Sequence, residues 1–207
     1  MSNALKSDEI FKIVDQEDAT YPDACEFVAK QYQERLKCEL KQFYPHIACL
    51  SDPSGIIATA GLRYSEDNNP EDNQDDNQAL NQEKGFFLEQ YLTESIETLV
   101  GDQRDAIVEI GGFAALRKLD ALILMQQLAE TLDSAGIRHV VCTANRPLRG
   151  CLRKLGINFK QLGVADEQSL TKGKDHWGAY YKTTPLVLTG EVAAGAKNIQ
   201  SLMALAR

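Results

Sequence analysis

The sequence predicts an α/β or α+β fold, with helices packed on one mixed β-sheet in a single domain over 1–207. A chain of 207 residues suits one domain with a substantial core. Segments with strand-like patterns alternate with segments of helical spacing. One strand–helix–strand unit late in the chain indicates two neighbouring parallel strands.

The N-terminal half predicts a helix followed by a β-hairpin. Residues 22–42 have apolar groups at helical spacing, and Asp23 after Pro22 is the expected N-cap. The stretch HIACLSDPSGIIATAGLRY then indicates strand, turn and strand, with the turn at 52–55. The apolar face of the helix consists of Phe27, Val28, Tyr32, Leu36 and Leu40.

Residues 64–84 form an acidic segment that we expect to be a flexible surface insertion. Seven acids against Lys84 give it a net charge of −6, out of −8 for the whole chain. The segment is rich in Asn, Asp and Gln and has few apolar groups, so burial cannot offset the entropy lost on ordering it. An acidic docking site is the alternative.

The second half alternates helices and strands. GFFLEQYLTESIETLV at 85–100 predicts one amphipathic helix, and IVEIGGFAAL at 107–116 is the third predicted strand. A long helix over 121–136 follows, ending at Gly136, and then the strand HVVCTA and a short helix over 147–155. The chain closes with the strand-like stretch AYYKTTPLVLTG and an Ala-rich tail at 193–207.

The composition argues against several classes of function. A net charge of −8 disfavours nonspecific binding to nucleic acid or to anionic membranes, since both need a basic surface. No apolar run approaches the roughly 18 residues of a membrane span, so we expect no integral membrane association. The five cysteines lack CxxC spacing, and no signal peptide is visible, which indicates a reduced, cytoplasmic protein.

The cysteines and histidines offer little chemistry by their spacing. The three histidines lack a pattern such as HxxxH, so we expect no metal. Cys142 and Cys151 raise the question of thioester exchange, but no His or Asp stands at an interpretable distance from them in the sequence. Because apolar surroundings raise the pKa of a thiol, core packing is the expectation for both.

Glu109 is an acid in a stretch expected to be a buried strand. It faces the opposite side of that strand from Val108 and Ile110. A carboxylate facing a cleft in the sheet would have its pKa raised by desolvation and would be suited to deprotonate an amine. The alternatives are a structural pairing with an arginine such as Arg63 and exposure at the strand face.

Two other groups of residues allow both a functional and a structural interpretation. Gly111 and Gly112 suit either a β-bulge whose amides face a ligand or close packing against a helix. The aromatic residues around Trp177 suit either the lining of an acyl pocket or ordinary core.

Arg146, Arg149, Arg153 and Lys154 form the one basic cluster of the sequence. Arg149 and Arg153 are four residues apart and share a helix face. Such a pair is able to bind a phosphate or the acidic surface of a carrier protein. A solvated helix face is the alternative.

The second half resembles the end of a GNAT acyltransferase. Strand, helix, strand and then N-x-x-L-x-x-C-L-x-K-x-G-I, running from Asn145 to Ile157, follow that superfamily's order and spacing. The resemblance implies two adjacent strands that splay apart around the pantetheine arm of an acyl carrier. Two departures stand out. FAALRKLDALIL at 113–124 lacks the glycines of the pyrophosphate loop, and Leu152 replaces the tyrosine that often protonates the leaving thiolate.

A second resemblance covers most of the chain, from about 27 to 192. FVAKQYQERLKCELKQFYPHIACL, AGLR, FLEQYL, VEIGGFAAL, LRGCLRKLGI and HWGAYY are similar in order and spacing to the thermostable hemolysins. The layout also resembles that of acyl-homoserine-lactone synthases. Arg63, Phe87 and Glu109 match functional positions of those enzymes, whereas Gly112 replaces an arginine, which weakens any claim to S-adenosylmethionine chemistry.

These resemblances imply a GNAT-like acyltransferase that uses an acyl-CoA or acyl-pantetheine donor, with acyl carrier protein as a partner and a small-molecule amine or hydroxyl as acceptor. They imply catalytic roles for Glu109 and Arg63. The carrier would be bound by Gly111, Gly112, Phe113, Asn145, Arg149 and Arg153, and the substrate by Phe87, Tyr91 and Trp177. Two alternatives remain: a membrane-lytic protein, as the hemolysin name implies, and a GNAT-fold protein that binds acyl carriers without turnover.

Overall fold

The computed structural model describes residues 8–67, 85–170 and 176–205. Over these ranges the chain forms one mixed seven-stranded sheet flanked by helices. The strands are β1 (Ile10–Asp15), β2 (His46–Asp52), β3 (Gly55–Arg63), β4 (Ile107–Ala115), β5 (His139–Ala144), β6 (Lys160–Val164) and β7 (Leu186–Glu191). The α-helices are α1 (Tyr21–Leu36), α2 (Ile96–Val100), α3 (Lys118–Ser134), α4 (Arg146–Lys154) and α5 (Val192–Leu205), and 3₁₀ helices span Phe87–Tyr91, Arg104–Ala106, Glu167–Ser169 and Tyr181–Thr183.

In the described part of the chain, the strand order is β1-β2-β3-β4-β5-β7-β6, and the one parallel pair is β4 with β5. This pair encloses α3, so the expected fold class and the parallel strand–helix–strand unit are confirmed. Pairing between β4 and β5 ends at Ile110 and Cys142. Because β4 continues to Ala115 and β5 continues to Ala144, the two strands separate beyond that point.

Helices cover both faces of the sheet. α1 packs against β2, β3 and β4 on one face, where residues 86–100 form a second cover. α3 covers the opposite face, and α5 packs against α3 and β7. Side-chain alternation along β4 sends Val108 into the α3 layer and Ile107 toward Phe86 and Leu88. No helix in the described ranges combines the length and the apolar character needed to cross a bilayer.

The first helix is shorter than expected and is capped differently. It begins after Thr20, which makes no side-chain cap bond, so the predicted N-cap role of Asp23 is wrong. It ends at Leu36, because Lys37 adopts a left-handed conformation with φ of 55°. The Leu36 carbonyl then accepts a hydrogen bond from the amide of Ala179, so a distant segment replaces the next helical turn. Residues 37–42 therefore lie outside the helix.

The predicted helix over 85–100 is also wrong. The chain forms the 3₁₀ helix Phe87–Tyr91, then an extended Leu92, and then α2. Ser95 begins α2 as a true N-cap, since its side chain accepts a hydrogen bond from the Thr98 amide. The edge strands β1 and β6 were not predicted, so IVEIGGFAAL is the fourth strand of the chain.

Two expectations concern the acidic segment and the tail. Residues 68–84 of the expected insertion at 64–84 lie outside the described residues. Within the described part, Asp67 accepts hydrogen bonds from the Tyr64 amide and bonds to His46 at 3.1 Å. The expected C-terminal tail at 193–207 is helical as far as Leu205 in α5.

Candidate active site

A buried pair of charged residues lies in the sheet beneath α1. Glu109 on β4 and Arg63 on β3 stand directly opposite each other on antiparallel strands. Their exposed fractions are 1% and 5%. The Tyr44 hydroxyl donates a hydrogen bond to Glu109 Oε1 over 2.8 Å. Arg63, the arginine named in the structural alternative for Glu109, is thus its cross-strand neighbour, and Tyr44 binds the same carboxyl.

Burial is the largest influence on Glu109 and raises the pKa of its carboxyl above the usual value. The Arg63 guanidinium and the Tyr44 hydroxyl oppose this rise, followed by the backbone amides of Leu88 and Phe87. The second carboxyl oxygen, Oε2, makes no well-aligned hydrogen bond within the described part of the chain. A carboxylate with a raised pKa is a stronger base, which suits proton transfer near neutral pH.

Gly61 and Gly111 leave room for the ring of Tyr44. A Cβ atom at Gly61 would lie 2.6 Å from the Tyr44 ring, and one at Gly111 would lie 2.0 Å from its hydroxyl oxygen. The ring therefore extends over these two glycines from β3 to β4, and its hydroxyl reaches Glu109, two residues before Gly111 on β4. Of the two alternatives for Gly111, neither the bulge nor helix packing explains this residue, because its contact is an aromatic ring.

Gly112 has a different role from Gly111. Its φ is +54°, and the register between β3 and β4 shifts by one residue between Thr59 and Gly61. These two features describe a β-bulge in β4 at the point where this strand separates from β5. The bulge interpretation of the glycine pair therefore applies to Gly112.

A salt-bridge network holds the 3₁₀ helix Phe87–Tyr91 against the site. Arg104 donates to both carboxyl oxygens of Glu89, at 2.9 and 2.6 Å, and to Glu97 Oε1 at 2.7 Å. Glu89 Oε2 also accepts a hydrogen bond from the Phe86 amide at 2.9 Å. This network fixes the segment whose amides face Glu109.

The three residues expected to bind substrate lie together in an aromatic cluster. Phe87 lies 6.1 Å from Tyr91 and 6.2 Å from Trp177, measured between ring centroids. Trp177 also contacts Tyr180 at 5.3 Å, and the hydroxyls of Tyr91 and Tyr181 hydrogen-bond at 2.7 Å. The structure thus brings aromatic residues from two distant parts of the sequence, near position 90 and near position 180, into contact with each other.

A cavity of about 560 Å³ passes through the gap between β4 and β5. This volume is within the usual range for small-molecule sites. On the α1 face, the cavity is lined by the aromatic cluster, Tyr44 and residues of α1. In the gap it is lined by Gly111, Gly112, Phe113, Thr143 and Asn145.

On the opposite face the cavity continues as an apolar arm between α3, α4 and α5. The α3 residues that line this arm recur at helical spacing, and so do those of α5, so each helix turns one face toward the space. We call this space the apolar arm. Its lining includes Met125, Leu128, Ala129 and Leu132 from α3, Leu148 and Leu152 from α4, and Val192, Gly195 and Ile199 from α5.

The residues expected to bind the carrier are only partly brought together. Phe113 and Asn145 line the cavity, and the Asn145 side chain also caps α4 by accepting the Leu148 amide at 2.9 Å. Arg149 does not line the cavity. Its guanidinium donates to the carbonyls of Ala144 and Thr184 at 2.8 and 2.7 Å, which ties α4 to the end of the sheet.

Arg153 and the start of α3 complete the expected carrier region. Arg153 is exposed on α4 and does not line the cavity. At the N-terminus of α3, the fully buried carboxylate of Asp120 accepts hydrogen bonds from the Arg117 amide at 3.1 Å and from its guanidinium at 2.6 Å. The Asp120 carboxylate therefore binds a backbone amide at the position where a glycine-rich loop would leave its amides free to bind pyrophosphate.

Cys142 lines the cavity beside the gap, but it is a poor nucleophile. Burial and the nearby Glu109 charge raise the pKa of its thiol to about 12. Cys151 is partly buried on α4. Among the described residues, no group of three or more His, Cys, Asp or Glu side chains is arranged to hold a metal ion.

Sequence reasoning missed Tyr44, the residue that connects Glu109 to the cavity. Tyr44 follows α1 in a segment that was assigned no role, and 65 positions separate it from Glu109. The available signal was the pair of glycines, Gly61 and Gly111, on strands expected to be buried. A glycine within a strand often marks a close approach by another group.

The fold can now be classified. A seven-stranded mixed sheet flanked by helices, with one central parallel pair, is the GNAT-like α/β fold, and acyl-homoserine-lactone synthases share this fold. The structure is similar to that of TofI in an apo form, with a TM-score of 0.59, 15% identity, and coverage of 92% of this chain and 96% of that one. It is also similar to MesI, a CoA-dependent acyl-homoserine lactone synthase, with a TM-score of 0.57, 15% identity, and coverage of 93% and 94%.

A third similar structure is FeeM, an N-acyl amino acid synthase from uncultured soil microbes, with a TM-score of 0.55, 12% identity, and coverage of 92% and 94%. At these identities the likeness concerns the fold. The sequence itself matches the thermostable hemolysin family model over residues 78–196, and the chain belongs to that family. No curated protein has a matching sequence.

Proposed function

We propose that this protein is an acyltransferase that moves an acyl group from a pantetheine thioester to an amine or hydroxyl acceptor. The observation that carries the proposal is the cavity that crosses the sheet through the gap between β4 and β5. One side of that cavity is aromatic and polar, and the other is the apolar arm. Such a passage offers separate places for a donor and an acceptor that meet in the middle.

The donor side of the cavity suits a pantetheine thioester. Beyond Ile110, β4 no longer pairs with β5, so the edge of residues 111–114 that faces the gap is available for the amides of a pantetheine arm. The apolar arm between α3 and α5 then receives the acyl chain, because hydrocarbon gains free energy by leaving water. Exposed Arg153 lies on α4 at the same side of the fold and supplies positive charge for a carrier.

The acceptor side suits a small molecule held against aromatic groups. Phe87, Tyr91 and Trp177 form its wall. The Glu109 carboxyl, with Arg63 beside it, serves as the general base. The name of FeeM describes the synthesis of N-acyl amino acids, which supports an amine as the first acceptor class to test. Glu109 accepts the proton that the acceptor loses when it attacks the thioester carbonyl.

The test is a product assay with the purified protein. We would incubate it with short-, medium- and long-chain acyl-CoAs and acyl carrier proteins, together with a panel of amino acids and simple amines, and detect acylated products by mass spectrometry. The expected result is a product that requires the protein, an acyl donor and an acceptor, and that is lost in Glu109→Gln. The two donor series also decide between coenzyme A and carrier protein.

Three outcomes would contradict the proposal. One is the absence of product together with the absence of a thermal shift with every donor. Another is leakage of liposomes caused by the purified protein without any acyl donor, which would favour the lytic activity implied by the family name. Donor binding without turnover of any acceptor would indicate a carrier-binding protein instead.

A further inference from the structure

We propose that Tyr44 is the group that contacts the acyl acceptor and that Glu109 acts through it. This inference rests on the proposed acyl transfer and specifies which side chain touches the substrate. The proton of the acceptor passes to the Tyr44 oxygen while the Tyr44 proton passes to Glu109. Glu109 and Arg63 are then positioning and proton-accepting residues behind a tyrosine.

The first support is the relation of both side chains to the cavity. Tyr44 lines the cavity, whereas Glu109, with an exposed fraction of 1%, does not. The Tyr44 hydroxyl is the donor in the 2.8 Å hydrogen bond to Glu109 Oε1. An oxygen that donates its single proton to a carboxylate keeps its lone pairs for other partners. A substrate in the cavity therefore contacts the Tyr44 side chain, whereas the Glu109 carboxyl lies behind it.

The second support is the position of the Tyr44 hydroxyl in the sheet. It lies directly over Gly111, since a Cβ atom there would be 2.0 Å from it. Ile110, the preceding residue, forms the last pair between β4 and β5. The hydroxyl is thus placed where the gap between β4 and β5 opens.

Several contacts fix the ring in this position. Gly61 and Gly111 form the surface on which it lies, and the Arg63 guanidinium stands 5.7 Å from the ring centroid. The backbone carbonyl of Tyr44 accepts a hydrogen bond from the Tyr21 hydroxyl at 2.7 Å. A group that transfers protons benefits from such preorganisation, because little rearrangement is then needed during the reaction.

Tyr44 serves as a relay and not as a free base. Burial and the Glu109 charge raise the pKa of its hydroxyl well above the usual value, so it does not ionise alone. In the step, the acceptor nitrogen or oxygen attacks the thioester carbonyl and its proton moves to the Tyr44 oxygen. The Tyr44 proton moves to Glu109 Oε1 at the same time. The new C–N or C–O bond forms, the C–S bond breaks, and the proton returns through Tyr44 to the leaving thiolate.

The experiment compares Tyr44→Phe, Glu109→Gln and the double variant with the wild type. If the two residues act in one relay, each single variant loses about 10²–10⁴-fold in kcat, the range for general acid–base catalysis, and the double variant loses no more than the worse single variant. In the wild type, one limb of the plot of kcat against pH reports the titration of Glu109. This limb is then absent from the plot for Tyr44→Phe. Tyr64→Phe is the matched control, because Tyr64 is also partly buried and does not line the cavity.

The result that would overturn the inference is a Tyr44→Phe protein that keeps most of its kcat and the same pH limb while Glu109→Gln is inactive. Glu109 would then contact the acceptor directly or through water. If Tyr44→Phe fails to fold, 3-fluorotyrosine is incorporated at position 44 instead, because it keeps the hydroxyl and its bond to Glu109 but lowers the pKa of the phenol. A changed kcat and a shifted pH–rate profile support the relay, and an unchanged profile overturns it. If the wild type acylates no acceptor, it is the proposed function that fails.

Discussion

The dimensions of the apolar arm should determine which lengths of acyl chain the protein accepts. Gly195 on α5 lines this arm with Val192 and Ile199, three residues before it and four after it, so all three occupy one helix face. A Cβ atom at Gly195 would meet no heavy atom within 4 Å. The Cβ of Gly195→Leu therefore has room, and we expect the rest of the leucine side chain to extend into the arm.

The magnitude follows from the length of chain displaced. Each methylene that is excluded from an apolar pocket costs about 1–3 kcal/mol, or roughly 10- to 200-fold in kcat/KM. We expect donors long enough to reach α5 to lose at least ~10-fold for each methylene displaced, whereas shorter donors are unaffected. The protein itself should not be destabilised, because replacing a helical glycine favours the helix by up to about 1 kcal/mol.

The assay measures kcat/KM across donors of increasing chain length for the wild type, Gly195→Leu and Gly150→Leu. Gly150 on α4 is the matched control, since a Cβ atom there also meets nothing within 4 Å and this residue does not line the cavity. An equal loss for all chain lengths, or the same profile in all three proteins, would refute the assignment of the arm to the acyl chain.

Three further predictions concern Gly111, Cys142 and Glu109. Gly111→Ala should displace the Tyr44 ring and leave the buried Glu109 carboxyl without that partner, lowering the free energy of unfolding by about 1–3 kcal/mol in urea titrations; an unchanged value would show that the ring is not held there. Cys142, with its pKa raised to about 12, should acquire no acyl adduct when the donor is added without acceptor, and an adduct mass on its peptide would point to thioester exchange. Because the folded-state pKa of Glu109 is raised, its contribution to stability is fully present below its ordinary value of 4.5 and is lost as the pH rises through the raised value. The unfolding free energy of the wild type minus that of Glu109→Gln should therefore fall from pH 4.5 upward, and a constant or rising difference would contradict the direction of the shift.

Strands that carry strong apolar patterns were predictable, whereas exposed edge strands were not. β2, β3, β4 and β5 are largely buried, so their sequences are dense in apolar and β-branched residues. β6 is half exposed and only five residues long, and KQLGV has no alternating pattern. The broken helix after residue 85 was mispredicted because Glu89 is bound by Arg104, fifteen positions away, which local spacing does not reveal.

In the candidate site, too, features that depend on the local sequence were predictable, and contacts between distant segments were not. The strand positions of Glu109 and Arg63 were predictable because both lie in stretches with a clear strand pattern, whereas their catalytic roles stay predictions. Arg149 looked like a free cation on a helix face, but the close approach of α4 to β5 and to the start of β7 gives it two carbonyl partners. Tyr44 was not predictable because its contact depends on how two glycines line up across neighbouring strands.

The separation of β4 from β5 also divides the sheet mechanically. Four residue pairs, from Ile107–His139 to Ile110–Cys142, are the backbone connection between the four strands on one side and the three on the other. Any molecule whose amides hydrogen-bond to both β4 and β5 across the gap would extend this backbone connection, as an additional strand would. Binding in the gap and the rigidity of the whole sheet are thereby linked, so a bound acyl carrier should raise the free energy of unfolding of the protein.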